Sequence, residues 1–298
     1  MLRRVMLPLT STLLLTLLAV LWPVHGGLPS APDWTAQAAA RFWTPERMAG
    51  SMPASGRRLP PVAQAAAGPT APGPPGSAVR FAGLPTVGVL FSVGDDLAGH
   101  YCTASVVHSP GRDLILTAAH CEPGSDIGFV PQYRAGADRQ PYGIWAVDQV
   151  FTDPRWAPDD DAASDYDVAF ARVRPDPHGR RIEDATGANR LARTPGYRDR
   201  VTVVGYPRLG SDPADRAITC TATTERLGAR RQLRLVCDGF AAGTSGSPWL
   251  LAFDARTRTG TVVGLIGGLD GGGPDDRVSY SPFFSDAVLA LYHSATRA

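Results

Sequence analysis

Short runs rich in β-branched and aromatic residues recur along the chain from about Arg80 onward. They are 86–93 (TVGVLFSV), 101–108 (YCTASVVH), 113–121 (DLILTAAHC), 166–173 (YDVAFARV), 200–207 (RVTVVGYP), 233–237 (LRLVC) and 259–268 (TGTVVGLIGG). Clusters of Gly, Pro and Asp separate them, and such spacing predicts an all-β barrel or sandwich. One stretch reads as helix instead. In 285–295 (SDAVLALYHSA), Val288, Leu289, Leu291 and Tyr292 fall at helical spacing, and Ser285 stands where a cap belongs.

The pattern ahead of this region differs twice. Arg3 and Arg4 precede an apolar run from Val5 to Trp22, with small residues beyond it, which predicts a secretory signal over 1–26. A retained membrane anchor is the alternative, since the run is nearly long enough to span. Pro8 interrupts it and Thr10, Ser11, Thr12 and Thr16 dilute it, so cleavage is the favoured expectation. Arg3-Arg4 also admits a twin-arginine reading, on weak flanks. Residues 27–80 are dominated by Ala, Pro and Gly, as a pro-segment or flexible linker would be. Their first part carries Trp34, Phe42, Trp43 and Met48, enough for a short helix that either docks on the folded domain or stays loose. The folded domain is expected over 81–298.

Composition narrows the classes. With 44% hydrophobic residues in 298, the chain can build one large or two small cores. A net charge of +1 gives no electrostatic case for nucleic acid. The four cysteines lie within the β region, which suits an exported domain with two disulfides. Three pairings are open to them, and Cys102–Cys121 with Cys220–Cys237 is the local solution. None has the C-x-x-C spacing of a zinc site, so no metal is expected.

Candidate chemistry centres on 241–251 (AAGTSGSPWLL). Ser245 stands between Gly243 and Gly246, and the stiff Pro248-Trp249 follows. This is either a plain surface turn or a nucleophile held at a tight bend. A serine hydroxyl needs a base, and the base needs a carboxylate to hold its tautomer. His120 follows an apolar strand, flanked by Ala119 and Cys121. Asp167 directly abuts Val168, Ala169 and Phe170, so it will be partly buried and in need of a hydrogen-bonded partner. Asp165 competes, because residues two apart share a strand face. Backbone N–H groups of Gly243 and Ser245 would serve a developing oxyanion if the bend is tight.

LTAAHC, DYDVAF and GTSGSP, in the order His, Asp, Ser, resemble the chymotrypsin-fold serine proteases over about residues 83–293. Serine does not come first, unlike in the α/β-hydrolases. The resemblance implies two six-stranded antiparallel barrels with the C-terminal α-helix, a His120-Asp167-Ser245 triad, and Cys102–Cys121 as the disulfide beside the histidine. GTSGSP and VVGYP (203–207) are more similar to the bacterial glutamyl-endopeptidase branch. That branch's acid-binding histidine falls near Ile266, so specificity for Glu is not implied. The family's serine that bonds the catalytic aspartate falls at Gly267. The aspartate that receives a new N-terminus in mammalian members is Thr244 here, so a chain starting near Gly76 is expected to retain activity.

By the same resemblance, the substrate pocket has its floor near Gly239 and Phe240 and walls at Gly267, Gly268 and Tyr280. That is apolar, although Asp238, Asp270, Asp275 and Asp276 are close in sequence. An extended edge at Gly267-Gly268-Leu269 would hold a peptide by strand addition. The expected protein is thus a secreted, extracellular serine endopeptidase, with an esterase or a non-catalytic binding protein as alternatives. It needs no cofactor. It would work as a monomer on peptide or protein substrates, without stable membrane association once the signal is removed.

Overall fold

The computed structural model describes residues 34–54, 76–121, 123–208, 212 and 214–298. The expected signal and most of the Ala/Pro/Gly-rich stretch therefore lie outside the described residues. Its first described part does dock. Helix α1 (Ala36–Phe42) is capped by Thr35, and α2 (Pro45–Gly50) by Thr44 with Pro at its first position. Strand β1 (Met52–Pro53) follows. Trp34, Trp43 and Met48 are buried in the largest core cluster. The indole N–H groups of Trp34 and Trp43 donate to the Ile127 and Asp126 carbonyls at 2.8 and 2.7 Å. A chain beginning near Gly76 would lack these core side chains.

Strand β2 (Val79–Arg80) belongs to the second half of the molecule, described below. In the first half, β3 (Val87–Val93), β4 (Gly99–Val107), β5 (Leu114–Thr117), β6 (Ser125–Pro131), β7 (Trp145–Thr152) and β8 (Ala169–Val173) are all antiparallel. They pair in the order β4-β3-β6-β7-β8-β5, and β5 returns to β4, closing a six-stranded barrel. Strand β1 adds to the outside of β4, in parallel. Alternate residues point inward and outward. Leu90, Phe129, Trp145, Val147 and Ala171 fill the interior. Val89, Phe91, Leu116, Val130 and Phe170 face outward into the large core, which the N-terminal segment and the second half cover. With both faces buried, β3 and β5 read in sequence as nearly unbroken apolar runs.

After α3 (Ile182–Thr186) come β9 (Arg190–Leu191), β10 (Arg200–Gly205), β11 (Ile218–Thr223), β12 (Glu225–Arg226), β13 (Gln232–Val236), β14 (Pro248–Asp254), β15 (Thr259–Leu265) and β16 (Val278–Pro282). They form a six-stranded sheet, β2-β11-β10-β14-β15-β9, and a three-stranded one, β12-β13-β16. Val203, Cys220, Leu235, Trp249 and Val263 from both sheets share one core. The all-β, chymotrypsin-type architecture is as expected, but this half does not close as a single ladder. Between β15 and β16 the Leu265 N–H goes to the Ser281 hydroxyl at 2.9 Å instead of to a strand carbonyl. Both disulfides, Cys102–Cys121 and Cys220–Cys237, are formed. The final helix α4 (Asp286–Arg297) starts at Ser285, whose hydroxyl accepts from Ala287 N–H, and it rests its Tyr292 ring on Phe170. Among the described residues no helix is long and apolar enough to cross a membrane.

Candidate active site

Strand β5 ends at Thr117, and the small Ala118 and Ala119 let the chain tighten into a 3₁₀ turn, Ala119–Cys121. The Cys102 disulfide ties that turn to β4, which fixes the backbone of His120. Asp167 closes a second 3₁₀ turn, Ala163–Tyr166, immediately before β8. It is not the head of a strand, so Asp165 and Asp167 do not share a face. The Asp165 carboxylate accepts from the Gln232 side-chain amide at 2.8 Å. Asp167 faces His120, and at 1% exposure its charge needs full compensation. Three N–H groups supply it. Oδ1 accepts from the His120 backbone at 2.8 Å, and Oδ2 from His120 Nδ1 and from the Gly268 backbone, both at 2.6 Å.

The bond the resemblance assigned to a serine at position 267 is therefore made by the neighbouring backbone. A Cβ on Gly267 would lie only 2.9 Å from Asp167 Oδ2, so the carboxylate packs where a side chain would stand. With Nδ1 donating to Asp167, the lone pair of the neutral imidazole is at Nε2. That atom is buried and makes no hydrogen bond, to Ser245 Oγ or to any other described residue.

Ser245 lies in a loop that five short bonds lock. Arg208 N–H donates to Ala242 O and Thr103 N–H to Ser245 O, each at 2.8 Å. The Thr103 hydroxyl donates to Gly243 O at 3.0 Å. The Thr244 hydroxyl donates to Ala241 O at 2.7 Å, and Gly246 N–H to Ile266 O at 2.7 Å. Gly243 and Gly246 have φ of +96° and +82°, a region that glycine enters without strain. Neither has room for a side chain. A Cβ on Gly243 would strike the Tyr101 ring at 2.5 Å, and one on Gly246 the Thr103 carbonyl at 2.1 Å. The same Cβ would lie 3.2 Å from Ala118 N, so the serine loop sits against the chain two residues before His120. The N–H groups of Gly243 and Ser245 donate to nothing among the described residues.

Two clefts flank His120. One, of about 640 Å³, is walled by Trp156, Asp159, Asp160, Asp161 and Asp270; the other, of about 580 Å³, by Ala54, Asp96, His100 and Trp156. Ser245 lines neither. Of the aspartates near the expected pocket, only Asp270 faces the first cleft. Asp276 offers its carbonyl to the N–H groups of Gly239 and Phe240, and Phe240 is buried in the second core. Tyr280 pairs through its backbone with Gly267 and Gly272, and burial together with Asp270 holds its phenol above the usual value.

The expected extended edge at Gly267-Gly268-Leu269 is absent. β15 ends at Leu265, Gly268 turns at φ +88°, and Leu269–Gly271 coil into a 3₁₀ turn. Gly268 N–H is spent on Asp167, and Leu269 N–H on Gln232 Oε1 at 3.0 Å.

Three contributors were not singled out from sequence. Gln232 is fully buried and ties Ser164 and Asp165 to Leu269, so it braces both turns around Asp167. Its only signal is an uncharged polar residue just ahead of the short run LRLVC. Thr103, next to Cys102, holds the serine loop. Tyr101, whose phenol burial pushes up and so keeps neutral, packs on Gly243.

The model of the trypsin-like peptidase domain matches residues 102–265. Among solved structures, the chain is similar to the protease Anisep from Arthrobacter nicotinovorans. Identity is 21%, the match covers 74% of this chain and 99% of that one, and the TM-score is 0.62. A thermostable serine protease, AL20, from an extremophilic microorganism matches at 22% identity over 72% and 98%, with TM-score 0.62. A Glu endopeptidase matches at 15% identity over 74% and 97%, with TM-score 0.54. No curated protein is matched by sequence.

Proposed function

The chain belongs to the trypsin-like peptidase family, and from that premise we propose that it is an exported serine endopeptidase acting through His120, Asp167 and Ser245. One observation carries the reading. A buried carboxylate fixes His120 through Nδ1, leaving Nε2 as an unspent acceptor, while the adjoining loop presents Ser245 with two unspent backbone N–H groups.

The steps follow from those atoms. Ser245 Oγ attacks the scissile carbonyl carbon as its proton passes to His120 Nε2. The carbonyl oxygen takes the negative charge and accepts hydrogen bonds from Gly243 and Ser245 N–H. Asp167 stabilises the imidazolium. The C–N bond then breaks as Nε2 returns the proton to the leaving amine, giving an acyl-enzyme that water hydrolyses by the same route. In the absence of substrate, catalytic hydrogen bonds are often long and tighten only in the complex, which accounts for the free Nε2. The two disulfides support export into an oxidising compartment.

Ester hydrolysis is the second reading, and it is favoured by the lack of an extended edge at Gly267-Gly268-Leu269. Casein and a short-chain ester should be tested side by side with wild type and Ser245→Ala. Loss of casein cleavage in a folded Ser245→Ala, with a phenylmethylsulfonyl adduct mapped to Ser245 in wild type, is expected. Ester turnover without casein cleavage would transfer the assignment to an esterase. An unlabelled Ser245 with no turnover of either would leave a binding protein.

A further inference from the structure

We infer that Thr103 is a positioning residue that holds the oxyanion-binding loop in its reactive shape from across the boundary between the two halves. The inference rests on the reading of Gly243 and Ser245 as oxyanion donors. Thr103 lies in β4 of the closed barrel, and the serine loop precedes β14 of the second half. Its hydroxyl is fully buried with one proton to give, and gives it to Gly243 O at 3.0 Å. The same oxygen accepts the Tyr206 N–H at 3.0 Å, from the segment that follows β10. Its backbone N–H holds Ser245 O at 2.8 Å.

A peptide unit is planar, so fixing a carbonyl fixes the direction of the N–H on its far side. Arg208 N–H fixes the 242–243 unit through Ala242 O, which aims Gly243 N–H. Thr103 fixes the units on either side of 244–245, through Gly243 O and Ser245 O. Ser245 N–H belongs to the 244–245 unit between them, whose own Thr244 O accepts from Ser247 N–H at 3.0 Å. Of these restraints, the Thr103 hydroxyl is the one made by a side chain, so one substitution removes it. Without it Gly243 O is left buried and unpaired, and the 243–244 unit, then held through Thr244 N–H to Ala241 O at 3.2 Å, can relieve this by rotating, which strains the adjoining 244–245 unit that carries Ser245 N–H.

The test uses p-nitrophenyl acetate, a small activated ester that needs no specificity pocket, together with the rate of sulfonylation by phenylmethylsulfonyl fluoride. Thr103→Val keeps the shape and removes the hydroxyl. We expect kcat and the sulfonylation rate to fall together by about 10–100-fold, less than the ~10²–10³ of deleting an oxyanion donor, with KM within about threefold. Thr103→Ser keeps the hydroxyl and should restore kcat to within about threefold. A merely structural role would lower the melting temperature without this split between kcat and KM. Folded Thr103→Val with wild-type kcat would overturn the inference. So would folded Thr103→Ser with the same loss as valine, which also decides the matter if Thr103→Val fails to fold. Full activity in Ser245→Ala would instead overturn the proposed function itself.

Discussion

Removing the Trp43 ring should unfold the N-terminal segment from the barrel and cost the whole domain stability. The side chain is 1% exposed. It lies 5.4 Å from the Phe91 ring and 5.2 Å edge-on from Phe42, and its N–H reaches Asp126 O at 2.7 Å. The barrel has a slot for it. A Cβ on Gly128 would sit 2.6 Å from Trp43 Cδ1, so β6 carries no side chain there. Large-to-small changes of buried aromatic residues cost about 3–5 kcal/mol, the lost hydrogen bond being part of that figure. For a domain of this size each kcal/mol is worth roughly 2–4 °C, so Trp43→Ala should melt roughly 6–20 °C lower. Trp43→Phe, which keeps a ring but loses the N–H donor, should fall in between. Urea unfolding with both disulfides intact gives the free energy, and activity against temperature gives the consequence. A Trp43→Ala protein within about 0.5 kcal/mol of wild type, the ordinary range for surface changes, would refute the docking. A chain starting at Gly76 should then be equally stable, whereas here it is expected to be at least as unstable as Trp43→Ala.

Other expectations concern the site and its surroundings. Gly246→Ala places a methyl 2.1 Å from Thr103 O at positive φ, so sulfonylation of Ser245 should be lost while the first barrel still forms; normal labelling would contradict the loop geometry. Gln232→Leu removes the acceptor of Leu269 N–H and the donor to Asp165, and should lower kcat by roughly tenfold, the scale of a misoriented supporting group, with His120 and Ser245 intact; an unchanged kcat would make Gln232 structural only. Burial works to raise the Asp153 carboxyl, but hydrogen bonds from Arg155 outweigh it and hold it below its usual value. Its stabilising effect is thus present above the unfolded value of about 3.9 and lost as pH falls through the lower folded value; Asp153→Asn should narrow the stability gap between pH 6 and pH 3, and an unchanged gap would refute the pairing.

Legibility followed the length and purity of the patterns. β3, β4 and β10 announce themselves as apolar β-branched runs, and α4 by its spacing and its Ser285 cap. β6 and β11 were missed because Gly128 and Pro131 break the first and alternating threonines dilute the second. Those residues serve packing that local sequence does not carry: Gly128 makes room for Trp43, and Thr221 bonds Thr202 on the next strand. His120, Asp167 and Ser245 stand out in the sequence as candidates because each stands beside a recognisable neighbour: a cysteine, an apolar run, or a pair of glycines. Thr103 also adjoins a cysteine, Cys102, but neither it nor Gln232 is a residue type that marks a nucleophile, a base or an acid. Their partners are far away along the chain, at Gly243 and at Asp165 and Leu269.

Two departures from the family pattern share one physical cause. Gly267 lacks the hydroxyl that would bond the buried aspartate, and the edge beyond it is not extended. Asp167 packs so close to residue 267 that a Cβ there would meet its carboxylate at 2.9 Å. The carboxylate must still be satisfied, and the nearest donor is the next backbone N–H. Gly268 delivers it by turning at φ +88°, which carries the chain out of strand geometry and into the 3₁₀ turn. Gln232 then takes the Leu269 N–H and keeps the turn from springing back. The bond that steadies Asp167 behind His120 and the loss of the edge are therefore one conformational choice. Restoring the strand for a substrate would withdraw Gly268 N–H from Asp167, leaving a buried carboxylate one donor short. A peptide substrate of the proposed endopeptidase would therefore be read on this side by side chains around the cleft, where Asp270 stands at the turn's own tip.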